Sequence, residues 1–213
     1  STTWNMCPNA LEDAIKDRIS KGRKPKAIVA VHLYGMPYKV DEIKAVAHKY
    51  EIPVVEDSAE ALGSTYKGQK CGTFGDISIL SFNGNKIITT SGGGALVSKN
   101  IKHKEKAIFL ATQARDAAPH YQHSHIGYNY RLSNICAGIG RGQMQVLDNH
   151  VVLRRKVNAF YNEILDNVEG VEVLKEPNQD YFSNHWLTAI FINEKSRKSA
   201  EDLRIVLEAS NIE

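Results

Sequence analysis

Three places in this sequence of 213 residues carry residue types that could do chemistry. The first is Asp57, which closes the short apolar run Pro53-Val54-Val55-Glu56 and is followed at once by Ser58 and Ala59. Ligands of open parallel sheets bind at the carboxyl ends of strands, so a carboxylate there faces the crevice; an aspartate ahead of a short helix is equally at home as its N-cap. The second is Lys86, which ends the polar loop Ser81-Phe82-Asn83-Gly84-Asn85 and precedes the apolar pair Ile87-Ile88. A lysine amine becomes a nucleophile only when burial or a neighbouring cation lowers its proton affinity; an ordinary loop lysine is simply solvated. The third is Ser91-Gly92-Gly93-Gly94, which permits close backbone approach or makes a plain turn before a strand. No Gly-Lys-Ser/Thr follows at the spacing of a phosphate-binding Walker loop.

Asp57 and Lys86 together are more informative than either alone. A carboxylate on one strand and a lysine 29 positions later on another is the pair that pyridoxal-phosphate chemistry requires. The lysine holds the cofactor aldehyde as an imine, and the carboxylate keeps the pyridine nitrogen protonated so that the ring can accept electrons.

The elements that must position these groups follow from the pattern of apolar residues. Ala10 to Ile19 has Leu11, Ala14, Ile15 and Arg18 at helical spacing. Lys26 to Leu33 is nearly all apolar, as a strand buried on both faces would be. Val40 to Tyr50 predicts a helix, Pro53 to Asp57 a strand, and Ala59 to Leu62 a short helical turn stopped by Gly63. Strands follow at Ile77 to Phe82 and Gly94 to Val97, and helices at Ile101 to Gln113 and Ser133 to Leu147. Strand, helix, strand with short connections makes a mainly parallel α/β sheet between helices. Asp116 to Asn129 has no period and predicts a long loop, the kind that often carries function. A long helix over Val151 to Val168, strands at Val171 to Leu174 and Trp186 to Ile192, and a helix over Ser199 to Ser210 open a second, smaller α+β domain. The division is therefore residues 1–150, a large cofactor domain, and 151–213, a linking helix with part of a small domain.

Composition bounds the class. Hydrophobic residues make up 42% and charged residues 24%, and the formal net charge is +3, with no basic tract for nucleic acid or an anionic membrane. The run from Lys99 to Lys106 includes Glu105 and fits a solvated helix face. Cys7, Cys71 and Cys136 are far apart with no CxxC pair, which supports neither a disulfide framework nor a zinc site and fits a reducing cytoplasm. No apolar run is long enough to span a bilayer, and the first residues lack signal-peptide regions.

The combined text, Val55-Glu56-Asp57-Ser58-Ala59-Glu60-Ala61-Leu62-Gly63-Ser64, then Gly72-Thr73-Phe74-Gly75-Asp76, then Ser81 to Gly94, closely resembles the sugar aminotransferases of fold-type I. These DegT/DnrJ/EryC1/StrS enzymes aminate nucleotide-linked keto-sugars. The likeness runs over essentially the whole chain. The stretch Asn83 to Gly94 is typical of the bacillosamine-pathway 4-aminotransferases, with Phe82 where they carry Tyr.

The resemblance implies a role for each matching residue. Lys86 would carry the cofactor covalently and, once freed by substrate, move the proton between substrate carbon and cofactor. Asp57 would pair with the pyridinium nitrogen and Ser81 with the cofactor phosphate. Glu60 would line the cofactor side of the pocket, where other members have Gln. Asn129 would reach the phosphate of the neighbouring subunit in a homodimer with shared active sites. Arg131 is either a contact for an anionic substrate group or a buried structural arginine. His120, His123 and His125 are either lining for the sugar-nucleotide entrance or surface histidines. Trp4 and Trp186 are expected to be packing residues. Family members begin before Trp4 and continue past Glu213, so the sequence resembles a fragment. The expected reaction is amino transfer from L-glutamate to C4 of a UDP-linked 4-keto-6-deoxy-N-acetylhexosamine, with no metal. Sugar 3-dehydratases of the same fold replace the lysine with histidine, and Lys86 argues against that chemistry. A plain nucleotide-binding domain lacks its Gly-x-Gly-x-x-Gly here, and an inactive interaction domain is the non-enzymatic alternative.

Overall fold

The computed structural model describes residues 2–212. Six helices and nine strands follow in order: α1 (Pro8–Ser20), β1 (Ile28–Val31), α2 (Val40–Lys49), β2 (Val54–Asp57), β3 (Thr65–Tyr66), β4 (Gln69–Lys70), β5 (Ile77–Ser81), β6 (Gly94–Val97), α3 (Ile101–Ala111), α4 (Asn134–Met144), α5 (Leu147–Leu165), β7 (Val171–Val173), β8 (Tyr181–Phe182), β9 (Ile190–Ile192) and α6 (Ala200–Ala209). The main sheet runs β1-β2-β5-β6, parallel across its first three strands and antiparallel at β6. This is the mainly parallel sheet with helices that the apolar pattern predicts.

One face of that sheet carries the core. Ile28 and Ala30 of β1 and Val54 of β2 are buried with Ile15 of α1 and Val40, Ile43 and Ala47 of α2. Burial on both faces, expected for the run around β1, is not what the structure has: Val29 is 53% exposed and Ile79 of β5 is 38% exposed. A continuous apolar run looks the same whether one face or two are covered, because side-chain alternation has no polar residue to mark it. The structure also turns Ala59 to Leu62 without forming a helix there, and confines the strand expected over Trp186 to Ile192 to its last three residues.

Two features have no counterpart in the sequence reading. β3 and β4 form a hairpin whose two central residues, Lys67 and Gly68, both have positive φ, 48° and 76°. That is the left-handed pair a two-residue turn needs. The hairpin then pairs antiparallel with β8, and Leu174 and Tyr181 enter the same core as α1 and α2. The chain after α5 is thus stitched to the sheet domain.

Candidate active site

β2 supplies the first groups, and alternation sorts them by face. Glu56 points into the core and is fully buried. Its Oε1 accepts from His32 Nε2 at 2.8 Å, Ser58 Oγ at 3.2 Å and the Gly72 N–H at 2.5 Å. Its Oε2 accepts from the N–H groups of Phe74 at 2.7 Å and Gly75 at 2.9 Å and from Ser78 Oγ at 2.7 Å. The Tyr38 N–H, 3.1 Å from His32 Nδ1, can only donate. Nδ1 therefore accepts, and Nε2 carries the hydrogen that points at Glu56. Burial pushes the Glu56 carboxyl up, but the His32 bond and the Gly75 and Gly72 amides outweigh it and hold the group at about 2. Glu56 ties the connection between β4 and β5 to the middle of the sheet.

Asp57, one residue on, lies on the opposite face. It pairs in register with Ile79, and Ser81 lies two residues further along β5 on the same face as Ile79. Asp57 Oδ1 accepts from the Ala59 N–H at 3.0 Å, as an N-cap would; its Oδ2 accepts no hydrogen bond among the described residues. Ser81 Oγ receives only the long 3.4 Å contact from the Asn83 N–H. β5 ends beside the glycine run, where Ser81 pairs with Gly94 of β6. A Cβ on Gly94 would collide with the Leu80 carbonyl oxygen, and Gly93 has φ +88° with Leu132 packed against it, so both positions need glycine.

Lys86 sits in the loop between these strands, anchored from both sides. Its N–H donates to Asn83 O at 3.1 Å, and Ile87 and Ile88 behind it are buried with Leu147, Val151 and Trp186. The side chain is 13% exposed, and Nζ lies 3.5 Å from Glu60 Oε1. Above it is the Trp186 ring, with Nζ 4.1 Å from the ring centroid. Glu60 is held in turn by the Tyr34 N–H, 2.6 Å from Oε2.

Trp186 packs as the sequence reading expects, and it and its support are also neighbours of Lys86 that the reading did not single out. The Trp186 indole N–H donates to Asn85 O at 2.8 Å. Buried Asn184 gives its amide hydrogens to Glu60 O at 2.8 Å and Leu62 O at 2.9 Å, and its Oδ1 accepts the Trp186 N–H at 2.8 Å. Arg155 fixes the approach to this segment, with Nη1 2.6 Å from Glu176 Oε1 and 2.5 Å from Ser183 O. No local motif marks Trp186 or Asn184; the tryptophan lies 100 positions beyond the lysine it covers.

The remaining sequence-predicted residues lie elsewhere. Asn129 bridges to Thr112 beside the end of α3 and is exposed. Arg131 is exposed at the rim of a hollow of about 610 Å³ between β5, β6, α3 and α4. His120 and His123 are exposed on the 116–126 loop, with His123 Nδ1 2.9 Å from Gln113 O. Among the described residues no hydrogen bond or ion pair joins these four to Lys86, Asp57 or Glu60. The three cysteines are free, no group of His, Cys, Asp or Glu among the described residues is arranged to hold a metal, and no described helix is long and apolar enough to cross a membrane.

A covered lysine, a carboxylate with a free oxygen and a serine beside a glycine run, all at the carboxyl ends of parallel strands, fit an aldehyde cofactor with a basic ring nitrogen and a phosphate. The chain belongs to the DegT/DnrJ/EryC1/StrS aminotransferase family, whose sequence model matches residues 1–213. Aminotransferases of this family are pyridoxal-phosphate-dependent. The "Putative pyridoxal phosphate-dependent aminotransferase EpsN" of Bacillus subtilis (strain 168) is 52% identical over 90% of this chain and 49% of its own length. A GDP-perosamine synthase of Escherichia coli O157:H7 is 38% identical over 95% of this chain and 52% of its own. The crystal structure of a DegT DnrJ EryC1 StrS aminotransferase from Brucella abortus superposes with a TM-score of 0.86 at 26% identity, over 99% of this chain and 54% of that one. The chain spans about half the length of the curated relatives it matches.

Proposed function

We propose that this chain forms the cofactor-binding part of a pyridoxal-phosphate-dependent nucleotide-sugar aminotransferase. The observation that carries the reading is the Lys86 amine, covered by Trp186 and paired with Glu60 where the Asp57 and Ser81 strands end. Bound there, pyridoxal phosphate supplies an electron sink for the bond-breaking at the amino-bearing carbon. Lys86 would hold the cofactor covalently and, when released, would take and return the proton at Nζ. Asp57, whose Oδ2 accepts no hydrogen bond among the described residues, would pair with the ring nitrogen and keep a proton on it. The Ser81 hydroxyl would have its hydrogen available for the phosphate, and Glu60 orients Lys86 beneath the indole contact through its carboxylate. Asn129 reaches the phosphate of a second subunit in a homodimer with shared sites; Arg131, His120 and His123, all exposed, meet the anionic substrate. Residues 151–213 are a linking helix and the first part of a smaller domain.

The finer proposal is transfer from L-glutamate to C4 of a UDP-linked 4-keto-6-deoxy-N-acetylhexosamine. Its support is Glu60 and the Asn83-to-Gly94 text. A remote nucleotide supplies binding energy that orients the ketone. The test takes the full-length protein loaded with cofactor. Borohydride reduction followed by peptide mass spectrometry is expected to place a pyridoxyl group on Lys86; a cofactor-free Lys86 peptide overturns the aminotransferase reading. UDP-, GDP- and dTDP-linked 4-keto and 3-keto sugars are then compared with L-glutamate. A preference of more than about tenfold in kcat/KM, roughly 1.4 kcal/mol, for any acceptor other than the UDP-linked 4-keto sugar overturns the finer assignment and leaves the coarser one standing.

A further inference from the structure

Lysine has four rotatable side-chain bonds, and a freed amine that must return to one carbon loses rate for every other place it can go. The structure confines it from two directions. Glu60 Oε1 approaches Nζ to 3.5 Å and the Trp186 ring lies over it at 4.1 Å, leaving the side chain 13% exposed. A carboxylate and an aromatic face both attract an ammonium. The ring itself cannot drift: its N–H is bonded to Asn85 O, the carbonyl next to Lys86, and its backbone N–H to Asn184 Oδ1. Asn184 is bonded through its amide hydrogens to Glu60 O and Leu62 O. One buried asparagine thus sets both halves of the clamp, the backbone that carries Glu60 and the segment that carries the ring.

We propose that Trp186 is a positioning residue for Lys86, holding the amine against Glu60 whenever the amine is not bonded to cofactor. The proposal deepens the aminotransferase reading and rests on it for its purpose. Its test needs no turnover, so the two can fail separately: a clamp without a pyridoxyl-Lys86 peptide removes the reading, and the peptide without a clamp removes only the proposal.

The experiment uses the full-length cofactor-free protein labelled with trinitrobenzenesulfonate, and peptide mass spectrometry compares Lys86 with the exposed Lys24. Trp186→Leu is expected to raise the labelling rate of Lys86 relative to Lys24 by about fivefold, the factor a partly desolvated cation–π contact supports. Trp186→Phe keeps an aromatic face and is expected to stay within about twofold of the parent. An unchanged Lys86 rate in a folded Trp186→Leu protein, with melting temperature and circular dichroism preserved, overturns the proposal, as does Trp186→Phe labelling as fast as Trp186→Leu. Should the leucine variant fail to fold, Lys86→Met decides in a background where every other tryptophan of the full-length protein is phenylalanine: removing the ammonium is expected to change Trp186 emission, and an identical spectrum overturns the contact.

Discussion

Lys86 differs from the other lysines of this chain in its surroundings. Its amine is covered, faces a carboxylate and sits where two strands end. Lys86→Ala is expected to lower turnover of the full-length enzyme by several orders of magnitude with little change in melting temperature, since the lost group acts in bonding and proton transfer. Asp57→Asn is expected to retain cofactor, seen by absorbance, while slowing turnover at least a hundredfold, roughly 2.7 kcal/mol of barrier, because a neutral amide cannot hold a proton on the ring nitrogen. Near-parent rates in either variant would contradict the assigned roles. Both residues were singled out from local text and the resemblance it carries. Trp186 was not, because nothing in Asn184-His185-Trp186-Leu187 says which loop the ring will cover.

β2 works through alternation: Asp57 faces the open side of the sheet and Glu56 the core. Glu56 is held at about 2 against a usual 4.5, so folding is favoured by its ionised form. The stability this contributes, on the order of 3 kcal/mol, is fully present above pH 4.5 and is lost as pH falls toward 2. Melting temperature measured from pH 6 to pH 2 is expected to drop across that window, and Glu56→Gln is expected to flatten the drop while melting lower at pH 7. The cost at pH 7 is a few kcal/mol, because the amide NH2 would face either the His32 and Gly72 donors or the Phe74 and Gly75 donors. Asn184→Ala strands two half-buried carbonyls and one buried N–H, and a loss of about 3 kcal/mol in a denaturant titration is expected. Helices and most strands could be read from periodicity. The β3–β4 hairpin could not, because Lys67 takes a positive φ without the Asn or Asp that usually announces such a turn.

The whole molecule raises the question of sharing between subunits. If Asn129 serves a partner's site, a mixture of Lys86→Ala and Asn129→Ala proteins, exchanged under mild denaturant, is expected to regain about a quarter of parent activity, as one intact site per mixed dimer requires. No recovery on mixing, or a fully active monomer in sedimentation, would refute that arrangement. The α/β class was legible because alternating buried runs and amphipathic stretches allow few topologies. The joining of the chain after α5 to the sheet domain was hidden, since β8 has two residues and its pairing to β3 spans more than a hundred positions.

That long-range stitching has a consequence during synthesis. Ribosomes add roughly 5–20 residues per second. Lys86 is therefore added to the chain some 5–20 s before Trp186, 100 residues behind it. For that interval the nascent lysine has no indole above it, and Glu60 has no Asn184 beneath its carbonyl. An amine so bare is open to any metabolite aldehyde as well as to the intended cofactor.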